Sequence, residues 1–203
     1  MIREVPIIAF DGTHASGKTT LKFAVAAYLR EKGINCSVLS EPARTSPLVD
    51  DVVLRDIGTF DLELELDLIA AHITQSIRAT RNSSLILSDR TPANVIAYSK
   101  LLVSIDEGFQ KDLFQSVEDF VKRWMQVYDV VFYCQDYFCA ETLRDNMRNK
   151  VLNIQHEVDM QTQLEYENAG IALEKIPLGL SGVERTKFVI DVIEKKYGFW
   201  GRC

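Results

Sequence analysis

The sequence predicts an α/β fold, a five-stranded parallel sheet with helices on both faces in three layers. Three observations predict it. Short apolar runs alternate with longer amphipathic stretches along the 203 residues. The runs are apolar on successive residues, as strands covered on both faces must be. The first run opens directly onto a glycine-rich turn and then a helical pattern, "AFDGTHASGKTT" at residues 9–20.

The elements follow in order. "PIIAFD" (6–11) is the first strand. Over 18–32, Leu21, Ala24, Val25, Tyr28 and Leu29 keep the i, i+3, i+4 spacing of a helix, which Gly33 can close. "CSVLSE" (36–41) is the second strand, residues 61–80 suit a long helix, and "LILSD" (85–89) is the third strand. Thr91-Pro92 then starts a helix, an N-cap followed by proline at the first helical position. A further helix is expected over about 109–127, a fourth strand in "DVVFYC" (129–134), and a weaker fifth in "ALEKIPL" (172–178). Ser181-x-x-Glu184 is a capping box that opens a last helix, with Phe188, Val189, Val192 and Ile193 on one face. No repeat, low-complexity tract or linker interrupts the pattern, so residues 1–203 read as a single domain.

Composition narrows the classes. Hydrophobic residues make up 47% and charged residues 26%, the balance of a soluble globular chain. The net charge of −6 argues against a protein that coats nucleic acid. Any phosphate site must therefore be built locally. Cys36, Cys134, Cys139 and Cys203 form no C-x-x-C pair, and no histidine spacing completes a zinc set. The expectation is a reduced, cytoplasmic protein. No apolar run approaches the length needed to span a membrane.

Ligands of parallel sheets bind beyond the carboxyl ends of the strands. That rule selects residues 12–19, 41–46 and 89–91. Gly12 and Gly17 let the backbone turn N–H groups toward phosphate oxygens, and Thr13, His14, Ala15 and Ser16 lie between them. Lys18 can reach the outer phosphates, and the Thr19 hydroxyl can hold Mg²⁺, with Thr20 in the same first helical turn. This is a P-loop for a nucleoside triphosphate. It does not fix what is done with the phosphate. Glu41 falls where the second strand stops, in "SEPART", and can orient or deprotonate an attacking hydroxyl. Arg44 can hold an anionic or sugar-like acceptor. Asp89 is the acidic strand end that serves Mg²⁺ directly or through water. Arg90 points either into the same cleft or away from the sheet. In "LRDNMRN", Arg144 and Arg148 are four apart and share a helix face. They lie on a segment, about 136–150, suited to a covering lid. On the long helix, His72, Gln75 and Arg78 share a face that can meet an acceptor's base and sugar.

These stretches, "IIAFDGTHASGKTT", "SEPAR", "LILSDRTPANVIAYS" and an arginine-bearing lid, resemble in order the deoxynucleoside kinase and thymidylate kinase superfamily. The combination also resembles the ribosylnicotinamide-kinase-like group of P-loop ATPases and kinases. The resemblance covers about 5 to 197. It implies a P-loop NTPase fold, with Lys18 and Thr19 serving ATP and Mg²⁺ and Glu41 acting as base toward the acceptor hydroxyl. It implies that Arg90 contacts the acceptor, that Arg144 and Arg148 are lid arginines, and that Gln75 matches a helix glutamine that reads the base. The chain also departs from the pattern. Ser40 stands where thymidylate kinases carry arginine, no aromatic follows Pro42 before Phe60, and Asp89-Arg90-Thr91 replaces Glu-Arg-Ser.

The expected function is an ATP-dependent kinase that transfers the γ-phosphoryl group to a nucleoside, a nucleoside monophosphate or a related small acceptor. Two alternatives stand beside it: a regulatory P-loop ATPase that switches partners, and a kinase acting on a modified base in nucleic acid. The guanine-reading N-K-x-D motif is absent, since Asn149-Lys150 is followed by Val151-Leu152. The helices at 61–80 and 92–127 can supply a homodimer face.

Overall fold

The computed structural model describes residues 4–55, 57–105, 107–138 and 154–198. In chain order these form β1 (Ile7–Asp11), α1 (Lys18–Glu31), β2 (Cys36–Val38), α2 (Pro47–Leu54), α3 (Leu62–Ala79), β3 (Leu85–Asp89) and α4 (Pro92–Leu102). Then come α5 (Phe109–Trp124), β4 (Val130–Cys134), α6 (Gln155–Asn168), β5 (Leu173–Ile176) and α7 (Gly182–Tyr197). Two 3₁₀ turns, Pro42–Arg44 and Met125–Val127, follow β2 and α5.

The strands form one parallel sheet in the order β2-β3-β1-β4-β5. β1 is central, with Ile8 beside Leu87 on one flank and Val130 on the other. Successive strand residues face opposite ways, so the apolar runs feed two cores. Ile8, Phe10, Leu87 and Phe132 pack with Leu21, Val25 and Leu29 of α1 and Ile190 and Ile193 of α7. Ile7, Ala9, Ile86 and Val131 pack on the other face with side chains from α2, α3, α4, α5 and α6. The Phe10 and Phe132 rings stack at 5.7 Å across adjacent strands. Each such fully buried side chain contributes about 1.5–3 kcal/mol. The strand ends above these cores are thereby held rigid.

Most expected elements form within a few residues of their predicted limits. β2 stops at Val38, short of the predicted 41. It is an edge strand; Leu39 still donates its N–H to Leu87 at 2.8 Å, but its carbonyl is taken by the Lys22 ammonium. Pro42 then turns the chain away. Ser181 and Glu184 make both bonds of the predicted capping box. Two helices have no counterpart in the sequence reading. α2 is short and begins with proline. α6 buries Val158 together with Thr162, Glu165 and Tyr166, so its inner face lacks an apolar stripe and leaves no clear periodicity. Among the described residues, no helix is long and apolar enough to cross a membrane.

Candidate active site

The ends of β1, β2 and β3 open into one cleft of about 570 Å³. Its floor is the loop between β1 and α1. Gly12 has φ 134°, and a Cβ there would lie 2.4 Å from the Cys134 carbonyl oxygen. Only glycine fits. Gly17 has φ 78° and its missing Cβ leaves room for Arg185 and Phe138, which pack against it. Asp11, the last residue of β1, is wholly buried. It accepts from the Gly12 N–H at 2.7 Å and the Thr91 hydroxyl at 3.2 Å, and also from the Tyr166 hydroxyl. Burial raises its pKa, although Arg90, the Tyr166 hydroxyl and the Gly12 N–H oppose the rise.

Lys18 bends back over the loop to donate to the Thr13 carbonyl and to Ser16 Oγ at 3.2 Å. Burial first, then the nearby Arg90, lower its pKa to about 8, against the pull of Glu41, Asp89 and Asp11. Thr19 donates its hydroxyl to Asp89 Oδ2 at 2.9 Å. The Lys22 ammonium reaches the same oxygen at 2.9 Å.

Arg90 turns into the cleft. It sits in the left-handed region, φ 66°, a conformation that costs a non-glycine residue about 1–3 kcal/mol. Its N–H donates to Phe10 O at 2.9 Å and its carbonyl accepts from Ser88 Oγ at 2.9 Å, which holds the turn. The guanidinium then meets Glu41, Asn94, His14 and Tyr98. Nε lies 2.7 Å from Glu41 Oε1, a charge contact without hydrogen-bond alignment. Nη1 donates to Asn94 Oδ1, Nη2 lies 3.3 Å from His14 Nδ1, and the Tyr98 ring centroid is 5.6 Å away. Burial alone would weaken its charge, but Glu41 and the other acidic groups reverse this and raise the pKa. Burial would also raise Glu41; Arg90, Lys18 and Arg44 overcome it and hold that carboxylate at about 2. Arg44 Nε adds a contact at 3.3 Å to Glu41 Oε2.

The cleft thus has two compartments joined at Glu41 and Arg90. One is the glycine-rich loop with Lys18 and Thr19. The other is walled by Val49, Val53, Phe60, Leu68 and Val95, with Glu65, His72, Asn94 and Tyr98 as its polar members. Asp89 Oδ1 is buried without a partner among the described residues. That orphaned atom fits a cation or its water beside Thr19. Among the described residues, no group of three or more His, Cys, Asp or Glu side chains gathers into a metal site. A cation here would take most of its ligands from phosphate oxygens and water.

The family profile described as an AAA domain matches residues 7–184. The chain belongs to this AAA-domain family. Two curated thymidylate kinases match parts of it. That of Thermomicrobium roseum is 31% identical over 113 residues, 52% of this chain and 53% of the relative. That of Nitratidesulfovibrio vulgaris is 31% identical over 100 residues, 45% of this chain and 44% of the relative. The chain spans about half the length of the curated relatives it matches. Among solved structures, Candida albicans thymidylate kinase superposes with TM-score 0.68 at 15% identity, over 97% of this chain and 94% of that one. NadR in complex with NR gives TM-score 0.69 at 16% identity, over 97% and 53%. Deoxyadenosine kinase from M. mycoides with bound dATP gives 0.58 at 17%, over 93% and 99%. These likenesses establish the P-loop kinase fold for this AAA-domain chain.

Lys18, Thr19, Thr20, Glu41, Arg44 and Arg90 line the cleft, and Asp89 lies beneath it, hydrogen-bonded to Thr19. Gln75 is half-buried but does not line it, and Arg78 is exposed. Arg144, Arg148 and most of the expected lid lie outside the described residues, as do Cys139 and Cys203. The sequence reading missed Lys22, although its place one turn after Lys18 is a usable signal. It also missed Tyr98, Asn94, Glu65 and Arg185, whose roles depend on which helix face meets the cleft. Arg185 of α7 donates to Ser16 O at 2.8 Å and has its guanidinium 5.5 Å from the Phe138 ring centroid.

Proposed function

We propose that the protein is an ATP-dependent phosphotransferase that moves the γ-phosphoryl group to a hydroxyl of a nucleoside-like or nucleotide-like small acceptor. The observation that carries this reading is the pair Glu41–Arg90, set between the glycine-rich loop and a second, largely apolar compartment. A switch that only bound ATP would need no such second chamber.

The loop amides and Lys18 bind the triphosphate, with Arg185 beside them on the donor side. Thr19 Oγ1 and, through water, Asp89 would hold a Mg²⁺ ion, which would offset the charge of the phosphate oxygens. Lys22 occupies one Asp89 oxygen, which favours the water-mediated mode. Glu41 accepts a hydrogen bond from the acceptor hydroxyl and aims its oxygen at the γ-phosphorus. That oxygen forms the new P–O bond as the bond to the ADP oxygen breaks, and its proton passes to Glu41 late in the step and from there to solvent. With a pKa near 2, Glu41 orients the hydroxyl more than it withdraws the proton early. A loose transition state asks for no more. A phosphate as the acceptor group is a second reading. Arg44 and Arg90, both on Glu41, favour it, since both guanidiniums can turn to an acceptor phosphate.

The test measures ADP release with and without thymidylate, deoxyadenosine and ribosylnicotinamide, and looks for the phosphorylated acceptor. Acceptor-dependent release is expected. Glu41→Gln should lower turnover by about 10²–10⁴-fold and leave ATP binding intact. ADP release that no acceptor stimulates would sink the kinase reading in favour of a nucleotide switch.

A further inference from the structure

The wall of the second compartment carries a carboxyl group with no countercharge among the described residues. Glu65 of α3 is 2% exposed and lines the cleft. Its Oε2 has no hydrogen-bond partner among the described residues. Burial drives its pKa up to about 8; the Ser99 hydroxyl opposes this, and the Asp61 carboxylate at the head of the helix reinforces it. At neutral pH the side chain keeps its proton. A buried polar atom without a partner is destabilising, and such atoms are scarce in folded proteins. Nothing in the packing of α3 asks for one, because Leu64 and Leu68 already supply its apolar contacts.

Its position gives the reason. His72 of the same helix also lines the cleft and feels the charges of Glu41, Arg90 and Asp89, so it marks the reacting end. Glu65 lies two turns earlier, roughly 10 Å along the helix axis. Leu68, Val49, Val53 and Phe60 line the same compartment. An apolar slot with one polar group away from the reacting end is the setting for a flat ring whose outer edge makes hydrogen bonds.

We propose that Glu65 reads the base of the acceptor, its carboxylic acid pairing with a ring or carboxamide edge that presents a hydrogen-bond acceptor and a donor side by side. The inference rests on the kinase reading above. The acid offers one O–H donor and one carbonyl acceptor on a single carbon. Rotation about its terminal bond, broad and two-fold, exchanges the oxygens and brings the unpartnered one to the ligand without moving α3. A base edge with acceptors alone would leave the Glu65 carbonyl facing lone pairs. Glu65 therefore selects an acceptor with an amide-like or amidine-like edge over a bare sugar or sugar phosphate.

The experiment is a calorimetric titration with a non-hydrolysable ATP analogue bound. Thymidylate, deoxyadenosine and ribosylnicotinamide are titrated in turn into wild type, Glu65→Leu and Glu65→Gln. Whichever binds is repeated with its base N-methylated at the donor. Binding of at least one is expected, with Glu65→Leu weakening it about ten- to a hundredfold. Glu65→Gln, which keeps a donor and an acceptor, should stay within about threefold of wild type. N-methylation should weaken binding to wild type but not to Glu65→Leu, and the loss in turnover should appear in KM and not in kcat. ATP affinity should be the same throughout. Undiminished acceptor binding by Glu65→Leu overturns the inference and leaves the kinase reading standing. If wild type binds ATP but none of the three acceptors, both fall. Should Glu65→Leu fail to melt cooperatively, tight binding of the methylated base by wild type overturns the inference by itself.

Discussion

Lys18 is an ammonium in a nearly dry place, and its protonation couples to what the cleft holds. Burial and Arg90 lower its pKa to about 8 in the folded protein, against about 10.4 in an unfolded chain. The folded state thus disfavours the charged form. Stability is lost as pH falls from the unfolded value toward 8, and the full loss persists below that. A triphosphate in the loop reverses the balance by favouring the cation. ATP binding at pH 8 should then take up about half a proton. Calorimetry in buffers of different ionisation enthalpy measures this; the dependence on buffer should vanish at pH 6.5 and in Lys18→Ala. At this scale the sequence was readable where a motif and a strand end coincide: Gly12, Lys18, Thr19, Glu41, Asp89. It was unreadable where a buried polar side chain depends on helix rotation. Gln75 and His72 are three residues apart, yet only His72 meets the cleft. Glu65 looks like one more acid in "LELELDL" until its burial is known.

α6 illustrates how an element escapes a periodicity argument. Its buried residues include Thr162, Glu165 and Tyr166, which satisfy one another's neighbours through polar contacts and not by apolar packing alone. Glu165 shares the Lys100 ammonium with Glu118 at 2.7 Å each. Thr162 accepts from Asn94 at 3.3 Å, and Gln155 at the other end of α6 donates to His14 O at 2.8 Å. The helix is therefore a polar clamp joining α4, α5 and the glycine-rich loop. Tyr166→Phe keeps the ring and removes one donor from Asp11. It should destabilise the protein by about 1–2 kcal/mol, lowering Tm by roughly 2–8 °C for a chain of this size. A melting scan reads the shift. ATP affinity should fall as well, because Asp11 also holds the Gly12 N–H that shapes the loop. An unchanged Tm and an unchanged Kd would remove α6 from this role. β1, β3, β4 and α7, in contrast, were legible because apolar runs and a capping box state their purpose locally.

Across the whole molecule, alternating strands and helices made the parallel sheet legible, but the order of its strands was not. That order comes from packing: β1 takes the centre because both its faces and both its edges are covered. Its last residue then binds chain segments very distant in sequence, since Asp11 receives the hydroxyls of Thr91, 80 residues on, and Tyr166, 155 residues on. Contacts of such separation close long loops and form late in folding. Pulse-labelled hydrogen exchange during refolding should find the Gly12 amide protected together with α6, and later than the β1 amides that pair with β3. Protection of Gly12 in the first phase would refute this. A ribosome delivers Asp11 and the loop it shapes 155 residues before Tyr166, the hydroxyl donor that Asp11 awaits. The glycine-rich loop is made well before the contact that braces it, so a nascent or partly folded molecule carries the motif without its support.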